Sequence, residues 1–518
     1  MLISDYINKL EDEDLLIKYE ANAELSKACS SNGSEYKNSN EDRVVKHIGF
    51  NSSTLGEGSV FVCKGVHFKR EYLQDAISKG ALAYVSEEDY GNQGIISIIV
   101  KDVRKAMTAL ALCFYGDVSK KIKIIGITGT KGKTSTVYYT KAILDEYENS
   151  KGGKAVGLSS GIVNYDGTDE VEADLTTPET LDMYRLLSDA VENELEFFAL
   201  ECSSQALKYG RVDGIEFEVA VFNNIGLDHI SPKEHPSYDD YLESKLRIFE
   251  HARTAVYNLD CDSQDRISET ARAVDKCITF SIKDKSANVY AYNMKSDHGK
   301  VSFDVAVRGV CEYTDCDFHV ELASFGLINV PNALSATAIA VALEIPTDNI
   351  IEGLSKVKIP GRMELITSPS GRLRGIVDYA HNELSLATLC KTIREEFPGY
   401  KLITLFGAAG GKAFVRREGL GRASAKYADY SIVTEDDPGE EDVMSICNEI
   451  ASYIEAEGGK YEIFPDREDA VRRAVELADE KTILLLLGKG DEAFIKRGLK
   501  SIPARTDAEK LISAFENK

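Results

Sequence analysis

Residues 126–135, Gly-Ile-Thr-Gly-Thr-Lys-Gly-Lys-Thr-Ser, have the composition of a phosphate-binding turn. They follow the apolar run 122–125 and precede the helix-compatible stretch 137–147. Where a strand, a glycine turn and a helix N-terminus follow one another, backbone N–H groups and the positive end of the helix dipole meet an anion. Lys133 is placed to reach the outer phosphates, and the Thr134 hydroxyl to bind magnesium. The segment therefore predicts a nucleoside triphosphate site.

The spacing departs in one respect from the usual phosphate-binding loop. Five residues separate Gly126 from Gly132, where four are usual, so the shorter pattern 129–134 fits better. An ordinary glycine turn is the alternative, and the Gly-Lys-Thr sequence makes it the less favoured one. The residues expected around the nucleotide are Gly129, Thr130, Lys131, Gly132, Lys133, Thr134 and Ser135.

Short apolar runs at 197–200, 219–222 and 255–257 alternate with helical stretches and favour a mostly parallel sheet around this turn. The first run ends in Glu201, and His229 follows the second closely. Ligands of such sheets bind at the carboxyl ends of the strands, so both side chains are expected beside the phosphate turn, with Glu201 as a magnesium ligand. The alternatives are a helix cap for Glu201 and an ordinary loop histidine for His229.

Patterns before and after this region indicate further parts of the fold. A strand at 60–62 and a helix that runs into a strand over 75–85 follow the polar block 51–58, which is interpreted as a turn rather than a ligand site. Alternation over 287–322 predicts a small antiparallel addition. Pro and Gly make 359–364 a linker candidate.

The last third of the chain has the layout of a Rossmann-like domain. Four apolar strands end in polar or glycine-rich turns, at Asp378, 407–411, 435–438 and 488–490. These turns predict a ligand edge. The 407–411 loop lacks the GxGxxG fingerprint, so a nicotinamide cofactor is not indicated.

Bulk properties exclude some classes of protein. The 518 residues require two to four domains, and the formal charge of −24 without a basic cluster argues against nucleic acid as a partner. The N-terminus lacks the basic start and apolar run of a signal peptide, and the longest apolar run, 483–487, is too short to span a bilayer. We therefore expect a cytoplasmic protein without membrane insertion.

Taken together, these motifs resemble those of the Mur ligases, the ATP-dependent peptide ligases of cell-wall precursor synthesis, and among them the MurE type. The resemblance covers nearly the whole chain. Its carriers are 129–135, 176–178, 201–207 with 211–214, 228–229, 241–249, Asn332, 360–364, 378–381 and 488–492.

The resemblance implies an α/β protein of three domains. They would be an N-terminal domain for the uridine nucleotide over 1–116, a central P-loop ATPase-like domain with a mostly parallel sheet over 117–364, and a C-terminal Rossmann-like domain that brings the amino acid over 365–518. Such an enzyme is expected to act as a monomer.

The resemblance also implies roles at ATP and magnesium. Lys133 would hold the outer phosphates, Thr134 and Glu201 would serve one magnesium ion, and His229 and Lys245 a second. Lys245 would carry a carbamate, which requires a neutral amine and hence a depressed lysine pKa; the residues alone favour a solvated helix lysine. The remaining contacts would be Asn332 and Asp378 at the adenosine and Arg362 and His381 near the phosphates.

The implied substrates are UDP-N-acetylmuramoyl-L-alanyl-D-glutamate and a free amino acid. The UDP-linked dipeptide would be held by Ser52, Thr176, Thr177, Ser203 and Arg211. ATP would phosphorylate its carboxylate, and the amino group of the amino acid would attack the acyl phosphate, with domain closure excluding water.

The amino acid is inferred from one departure. MurE-type enzymes that take meso-diaminopimelate carry Asp-Asn-Pro-Arg, whereas residues 436–439 here are Asp-Asp-Pro-Gly. A pocket of Asp436, Asp437, Gly488 and Glu492 without that arginine suits an ammonium group better than a carboxylate. We therefore expect L-lysine, with ornithine next, unless Lys412 or Arg416 reaches the distal carboxylate.

Other departures keep rival functions open. The usual Asp-Ser-Arg is Asn51-Ser-Ser53, the usual Ser-Ser-His is Ser203-Ser-Gln205, and the usual Gly-Asp-Arg-Asp is 410–413, Gly-Gly-Lys-Ala. They permit an ATP-dependent ligase for a different acid. A nucleotide-binding regulator is the rival from another class, and retention of Lys133, Glu201, His229 and Lys245 argues against it.

Overall fold

The computed structural model describes residues 1–20, 43–65, 68–91, 93–227, 230–231, 234–297, 300–411, 414–498 and 500–518. The predictions for His229 and Lys412 fall outside these residues. Contacts divide the chain into a first unit, Met1–Val137 with Glu148–Ile278, and a second unit, Tyr138–Tyr147 with Thr279–Lys518. None of the helices in the described ranges is both long and apolar enough to cross a lipid bilayer.

The first unit begins with a five-stranded sheet in the order β1-β5-β4-β3-β2. Strands β2 to β5 are parallel, and β1 is antiparallel to β5. The predicted strand at 60–62 and the helix and strand over 75–85 are confirmed. The elements are α1 (Ile3–Asp12), β1 (Leu16–Glu20), β2 (His47–Gly49), β3 (Ser59–Val62), α2 (Arg70–Ser78), β4 (Ala83–Ser86), β5 (Ile96–Val100) and α3 (Val103–Tyr115).

Seven further strands of the first unit lie side by side in the order β12-β11-β6-β10-β7-β8-β9, as part of an 11-stranded sheet. The five strands from β12 to β7 are parallel, as predicted, and β8 and β9 continue antiparallel. The elements are β6 (Lys123–Thr128), α4 (Lys133–Ser150), β7 (Gly157–Ser159), β8 (Val163–Tyr165), β9 (Glu170–Glu172), α5 (Thr180–Glu192), β10 (Phe197–Glu201), α6 (Ser204–Lys208), β11 (Phe217–Phe222), α7 (Tyr238–Leu246), β12 (Ala252–Asn258), α8 (Gln264–Ala271) and β13 (Lys276–Ser281).

The second unit contains the predicted antiparallel addition. Strand β15 pairs with both β14 and β16, and its alternate residues Val301, Phe303, Val305 and Val307 are buried as the period of two requires. The elements are β14 (Val289–Asp297), β15 (Lys300–Val307), β16 (Cys316–Leu322), α9 (Val330–Ala342) and α10 (Thr347–Lys356).

A six-stranded sheet completes the second unit in the order β17-β18-β22-β19-β20-β21. All neighbours are parallel except the edge strand β17, which confirms the Rossmann-like prediction. The central strand β22 is buried at every residue, as expected for a strand covered on both faces. The elements are β17 (Glu364–Thr367), β18 (Arg374–Asp378), α11 (Glu383–Glu396), β19 (Lys401–Phe406), α12 (Val415–Tyr427), β20 (Tyr430–Val433), α13 (Val443–Ala456), β21 (Tyr461–Ile463), α14 (Arg467–Leu477), β22 (Thr482–Leu487), β23 (Phe494–Arg497), β24 (Lys500–Pro503) and α15 (Asp507–Glu516).

Candidate functional site

The turn between β6 and α4 has the geometry of a phosphate cradle. Helix α4 begins at Lys133, and Gly132 before it has a φ of 80°, which only glycine adopts without strain. The Lys133 ammonium donates to the Gly129 carbonyl at 2.9 Å and so lies over the turn. The turn therefore leads into a helix N-terminus, the arrangement that suits an anion.

Asn224, just after β11, fixes this turn from the neighbouring strand. Its carbonyl accepts from Thr130 N at 3.0 Å, its Oδ1 accepts from Lys131 N at 2.9 Å, and its Nδ2 donates to Lys131 O at 2.9 Å. These bonds set the loop conformation without a bound nucleotide. Asn224 was not predicted; the available signal was a polar residue shortly after the apolar run 219–222.

Helix α7 contacts the same turn from another side. The Tyr241 hydroxyl donates to Thr130 Oγ1 at 3.0 Å, and the Lys245 ammonium donates to Gly129 O at 2.8 Å. Lys245 is 1% exposed, and its ammonium lies 4.7 Å from the centre of the Tyr241 ring. The alternative of a solvated helix lysine is therefore wrong.

Glu201 is the last residue of β10 and is 1% exposed. Its Oε1 accepts from Gly161 N at 2.9 Å, and its carbonyl accepts from Thr177 Oγ1 at 2.8 Å. Thr177 Oγ1 in turn accepts from Ser203 N at 3.0 Å. Ser203, not Glu201, caps α6, so the helix-cap alternative for Glu201 is wrong. The predicted residues Glu201, Thr177 and Ser203 are thus brought together.

The donor set fits magnesium better than a softer metal. The described residues hold no cluster of three or more His, Cys, Asp or Glu side chains able to bind a metal on their own. Strand β10 pairs with β6, with Glu201 opposite Ile127, so its carboxylate emerges at the same sheet edge as the phosphate turn. Magnesium commonly takes one or two protein oxygens and completes its shell with phosphates and water. Glu201 and the Thr134 hydroxyl are of that type.

Two cations share one carboxylate near Thr177. Arg211 donates from Nη1 to Thr177 O at 3.1 Å and pairs with Glu179 at 3.0 Å. Lys64 pairs with the other oxygen of Glu179 at 2.6 Å, and both cationic side chains are only 13% exposed. Burial lowers the pKa of Lys64 and of Arg211. We call Lys64, Arg211 and Glu179 the basic cluster; it carries an excess positive charge.

The sequence reasoning missed Lys64. The signal available was a lysine two residues after the buried strand β3, at the carboxyl edge of a parallel sheet. Ser52 was predicted at the uridine end and lies in a turn, where Asn51 Oδ1 accepts from Ser53 N at 3.0 Å. The prediction that 51–58 turns the chain is borne out there, and the carbonyl of Ser52 accepts from Lys79 at 2.8 Å.

A cavity of about 100 Å³ lies at the carboxyl ends of the strands in the second unit. All four residues predicted for the amino acid line it, together with Arg416 at its exposed side. The lining residues are Tyr379, His381, Gly407, Ala408, Ala409, Arg416, Asp436, Asp437, Gly488 and Glu492.

Charges in this cavity, which we call the acidic pocket, are unevenly balanced. Lys489 is 2% exposed and donates to Asp437 Oδ1 at 2.9 Å and to Glu492 Oε2. Burial opposes the charge of Lys489, but Glu492, Asp436 and Asp437 more than offset this and raise its pKa. Burial raises the pKa of Asp436 to about 6. The carboxylates of Asp436, Asp437 and Glu492 thus lie around the buried Lys489, whereas the charge of the buried Arg467 behind Asp436 is already paired with Asp507. Lys489 had no predicted role.

Three of the residues predicted near the nucleotide lie together in the second unit. Asp378, at the end of β18, accepts from Ala380 N and from Met363 N, both at 2.9 Å. The Arg362 guanidinium lies 4.3 Å from the Tyr379 ring centre, and His381 Nδ1 donates to Tyr379 O at 2.9 Å. Asn332 lies separately, in the first turn of α9.

Comparison with known proteins decides the family. Family models match at residues 127–340, for the Mur ligase middle domain, and at 361–490, for the Mur ligase glutamate ligase domain. A UDP-N-acetylmuramoyl-L-alanyl-D-glutamate–L-lysine ligase of Enterococcus faecalis is 36% identical over 92% of this chain and 92% of its own. The chain belongs to the Mur ligase family. The resemblance to the MurE type is thereby confirmed.

Mur ligases of a second specificity are also similar to it. A UDP-N-acetylmuramoyl-L-alanyl-D-glutamate–2,6-diaminopimelate ligase of Clostridium perfringens is 34% identical over 88% of this chain and 92% of its own. A solved structure of a ligase with that same name superposes with a TM-score of 0.61 at 25% identity, covering 91% of this chain and 95% of the other. The α/β Mur ligase fold is therefore shared along almost the whole chain.

Proposed function

We propose that this Mur ligase joins a diamino acid, L-lysine, to UDP-N-acetylmuramoyl-L-alanyl-D-glutamate at the expense of ATP, in peptidoglycan precursor synthesis. The observation that carries the proposal is the acidic pocket, where the carboxylates of Asp436, Asp437 and Glu492 exceed the charge of the buried Lys489, and the nearby Arg467 is already paired with Asp507. An incoming side-chain ammonium restores the balance of charge there, whereas a distal carboxylate adds to the repulsion. The glycine at 439, where related enzymes for meso-diaminopimelate have arginine, points the same way.

The phosphate turn supports the first half-reaction. Backbone N–H groups at the start of α4 and the Lys133 ammonium hold the outer phosphates of ATP, while Asn224 and Tyr241 keep the turn in shape. The dipeptide carboxylate attacks the γ-phosphorus of ATP, and the bond from that phosphorus to the β,γ-bridging oxygen breaks. The products are ADP and an acyl phosphate. Thr134 and Glu201 would hold a magnesium ion, which would supply positive charge to offset that of the phosphates.

Lys245 belongs to the same proposal. Its burial against the Tyr241 ring and the Gly129 carbonyl places its nitrogen at the phosphate turn, away from bulk water. A neutral amine there would add carbon dioxide and release one proton, and the resulting carbamate would hold a second magnesium ion together with His229. Asn332 and Asp378 at the adenosine, and Arg362 and His381 near the phosphates, complete the proposed nucleotide contacts.

The basic cluster supports the site for the UDP-linked dipeptide. Lys64 and Arg211 share the carboxylate of Glu179, so their two charges exceed its one and an anionic group of the substrate is attracted to them. Thr176, Thr177 and Ser203 lie on the path from this cluster to Glu201, and Ser52 is proposed for the uridine end.

The second half-reaction joins the amino acid. The neutral α-amino group attacks the carbonyl carbon of the acyl phosphate, loses a proton, and expels inorganic phosphate as the amide forms. We further propose three domains with boundaries near 116 and 364, a monomeric enzyme, and action in the cytoplasm, where ATP and UDP-linked precursors are available.

Transfer of meso-diaminopimelate is the second candidate, and one observation favours it. Arg416 lines the same cavity, so its guanidinium offers a partner for a distal carboxylate. Ornithine fits the charge argument as lysine does.

Product analysis by mass spectrometry tests the proposal. The purified protein, ATP, magnesium, the UDP-linked dipeptide and L-lysine should give the tripeptide, with one ADP per product, and Lys133→Ala should give none. Product only with meso-diaminopimelate or only with ornithine would replace the amino acid, and no product with any diamino acid would reject the ligase assignment.

A further inference from the structure

The two loops that line the acidic pocket leave different strands of the sheet. Asp436 and Asp437 follow β20, whereas the loop that starts at Gly488 follows β22, and β19 lies between these strands. The loops nevertheless touch, since a Cβ at Gly488 would lie 2.6 Å from Asp436 Oδ2. Gly488 also has a φ of 103°, so the contact needs glycine. The close approach of the two loops requires contacts that fix the distance between them.

Arg467, the first residue of α14, bridges them from behind. Its Nη1 donates to the carbonyl of Glu435 at 2.9 Å, and its Nη2 donates to the carbonyl of Leu487 at 2.9 Å. These are the residues immediately before Asp436 and Gly488. The guanidinium is 1% exposed, so both bonds are shielded from water.

Asp507, at the start of α15, fixes the guanidinium itself. Its two oxygens accept from Arg467 Nε at 2.8 Å and from Nη2 at 2.6 Å. Asp507 is fully buried. A planar guanidinium with a bidentate carboxylate on one side keeps its remaining donors in fixed directions. The pair therefore acts as a rigid brace between two loop carbonyls.

We propose that Arg467 is a positioning residue for the incoming amino acid: it braces the Asp436 loop against the Gly488 loop and holds a positive charge behind Asp436. The inference rests on the proposed function of the acidic pocket. Arg467 does not line the pocket, so its effect passes through Asp436 and the loop spacing.

The charge of Arg467 has a defined direction of effect. Asp436 faces Arg467 and Lys489, which lower its pKa, and Asp437 and Glu492, which raise it, while burial raises it most. Tyr379 lines the same pocket and interacts electrostatically with Asp436, and Asp507 and Lys510 lie beside Arg467. Loss of the Arg467 charge therefore raises the pKa of Asp436. Loss of the Asp507 charge leaves the charge of Arg467 uncompensated and therefore lowers the pKa of Asp436.

Three variants and one matched control test the inference on the full chain. The variants are Arg467→Met, Arg467→Lys and Asp507→Asn; the control is Arg473→Met, on the same helix, whose partners Glu462 and Glu476 lie away from the pocket. We would measure kcat/KM for L-lysine against pH, the KM for ATP, and thermal unfolding.

Arg467→Met should raise the KM for L-lysine about tenfold, the equivalent of one lost charge-assisted hydrogen bond, with the KM for ATP within twofold. The acidic limb of its pH profile, the range in which kcat/KM falls as the pH is lowered, should move to higher pH. Arg467→Lys keeps the charge without the fork, so its KM should rise while the limb stays. Asp507→Asn should move the limb to lower pH, and Arg473→Met should match the wild type.

Limbs that do not move in opposite directions for Arg467→Met and Asp507→Asn would overturn the inference, as would an equal rise in the KM for ATP. If Arg467→Met does not fold, the other two variants test the inference. The acidic limb should then stay in place for Arg467→Lys and move to lower pH for Asp507→Asn, and any other result would overturn the inference. A wild type without turnover would overturn the proposed function and this inference together, whereas wild-type turnover with unchanged variants would overturn the inference alone.

Discussion

The charge of Asp436 should lower the stability of the folded protein and strengthen binding of the amino acid. The substitution Asp436→Asn should therefore raise the stability and weaken amino-acid binding. Its folded-state pKa is about 6, against an ordinary value of 3.8, because burial disfavours the carboxylate. The folded protein therefore binds the proton more tightly than the unfolded chain does. The associated stability is fully present below pH about 4 and is lost as the pH rises through about 6.

The size of this effect follows from the shift. Two pKa units at 1.36 kcal/mol each put the cost of the Asp436 charge at about 3 kcal/mol above pH 7, as an upper value. Asparagine carries no charge and has nearly the same shape. We expect Asp436→Asn to be more stable than the wild type by about 1–3 kcal/mol at pH 8, and the difference to shrink towards pH 4.

The same substitution should weaken the enzyme. Asp436 supplies one of three carboxylates in the acidic pocket, and a charge-assisted hydrogen bond contributes about 1.5–3 kcal/mol, so kcat/KM for L-lysine should fall about 10- to 150-fold. The KM for ATP should stay within twofold. Urea unfolding at pH 5 and pH 8, with steady-state kinetics at pH 8, measures both effects. An Asp436→Asn protein that is less stable at pH 8 and still uses lysine normally would refute the reasoning.

Three further predictions concern the first unit. Lys64→Met should raise the KM for the UDP-linked dipeptide about tenfold, because one cation of the basic cluster is lost, while Lys105→Met, an exposed lysine, should leave steady-state kinetics unchanged. Asn224→Ala should raise the KM for ATP about 5- to 20-fold, since it removes two hydrogen bonds to the phosphate turn; tight binding of fluorescent ATP by this variant would count against that role. Lys245→Ala should abolish turnover and regain part of it with added short carboxylic acids, and turnover equal to the wild type would exclude a metal ligand there.

Periodicity and turn chemistry were enough to predict most of the fold. The alternating run in β15 and the apolar run 483–487 in β22 have burial patterns that follow from sheet geometry alone. The phosphate turn was predictable because its glycines and lysine are adjacent in sequence. The three-domain boundaries remain a prediction.

Contacts between residues distant in sequence could not be derived in this way. Lys245 meets Gly129 across 116 residues, and Lys64 meets Glu179 across a comparable distance. No local pattern distinguishes these lysines from solvated ones, because their burial is decided by which helices and strands pack together. Lys489 lies in the predicted 488–490 turn, but its pairing with Asp437 depends on how β20 and β22 each align with β19, which lies between them.

The central claim is that the acidic pocket prefers a side chain that ends in an ammonium group and carries no distal carboxylate. The most direct measurement is a competition: equimolar L-lysine and meso-diaminopimelate at low concentration, with ATP and the UDP-linked dipeptide, and the two tripeptide products quantified by mass spectrometry. The charge argument predicts an excess of the lysine product of at least about tenfold, which corresponds to 1.4 kcal/mol. A predominance of the diaminopimelate product would contradict it.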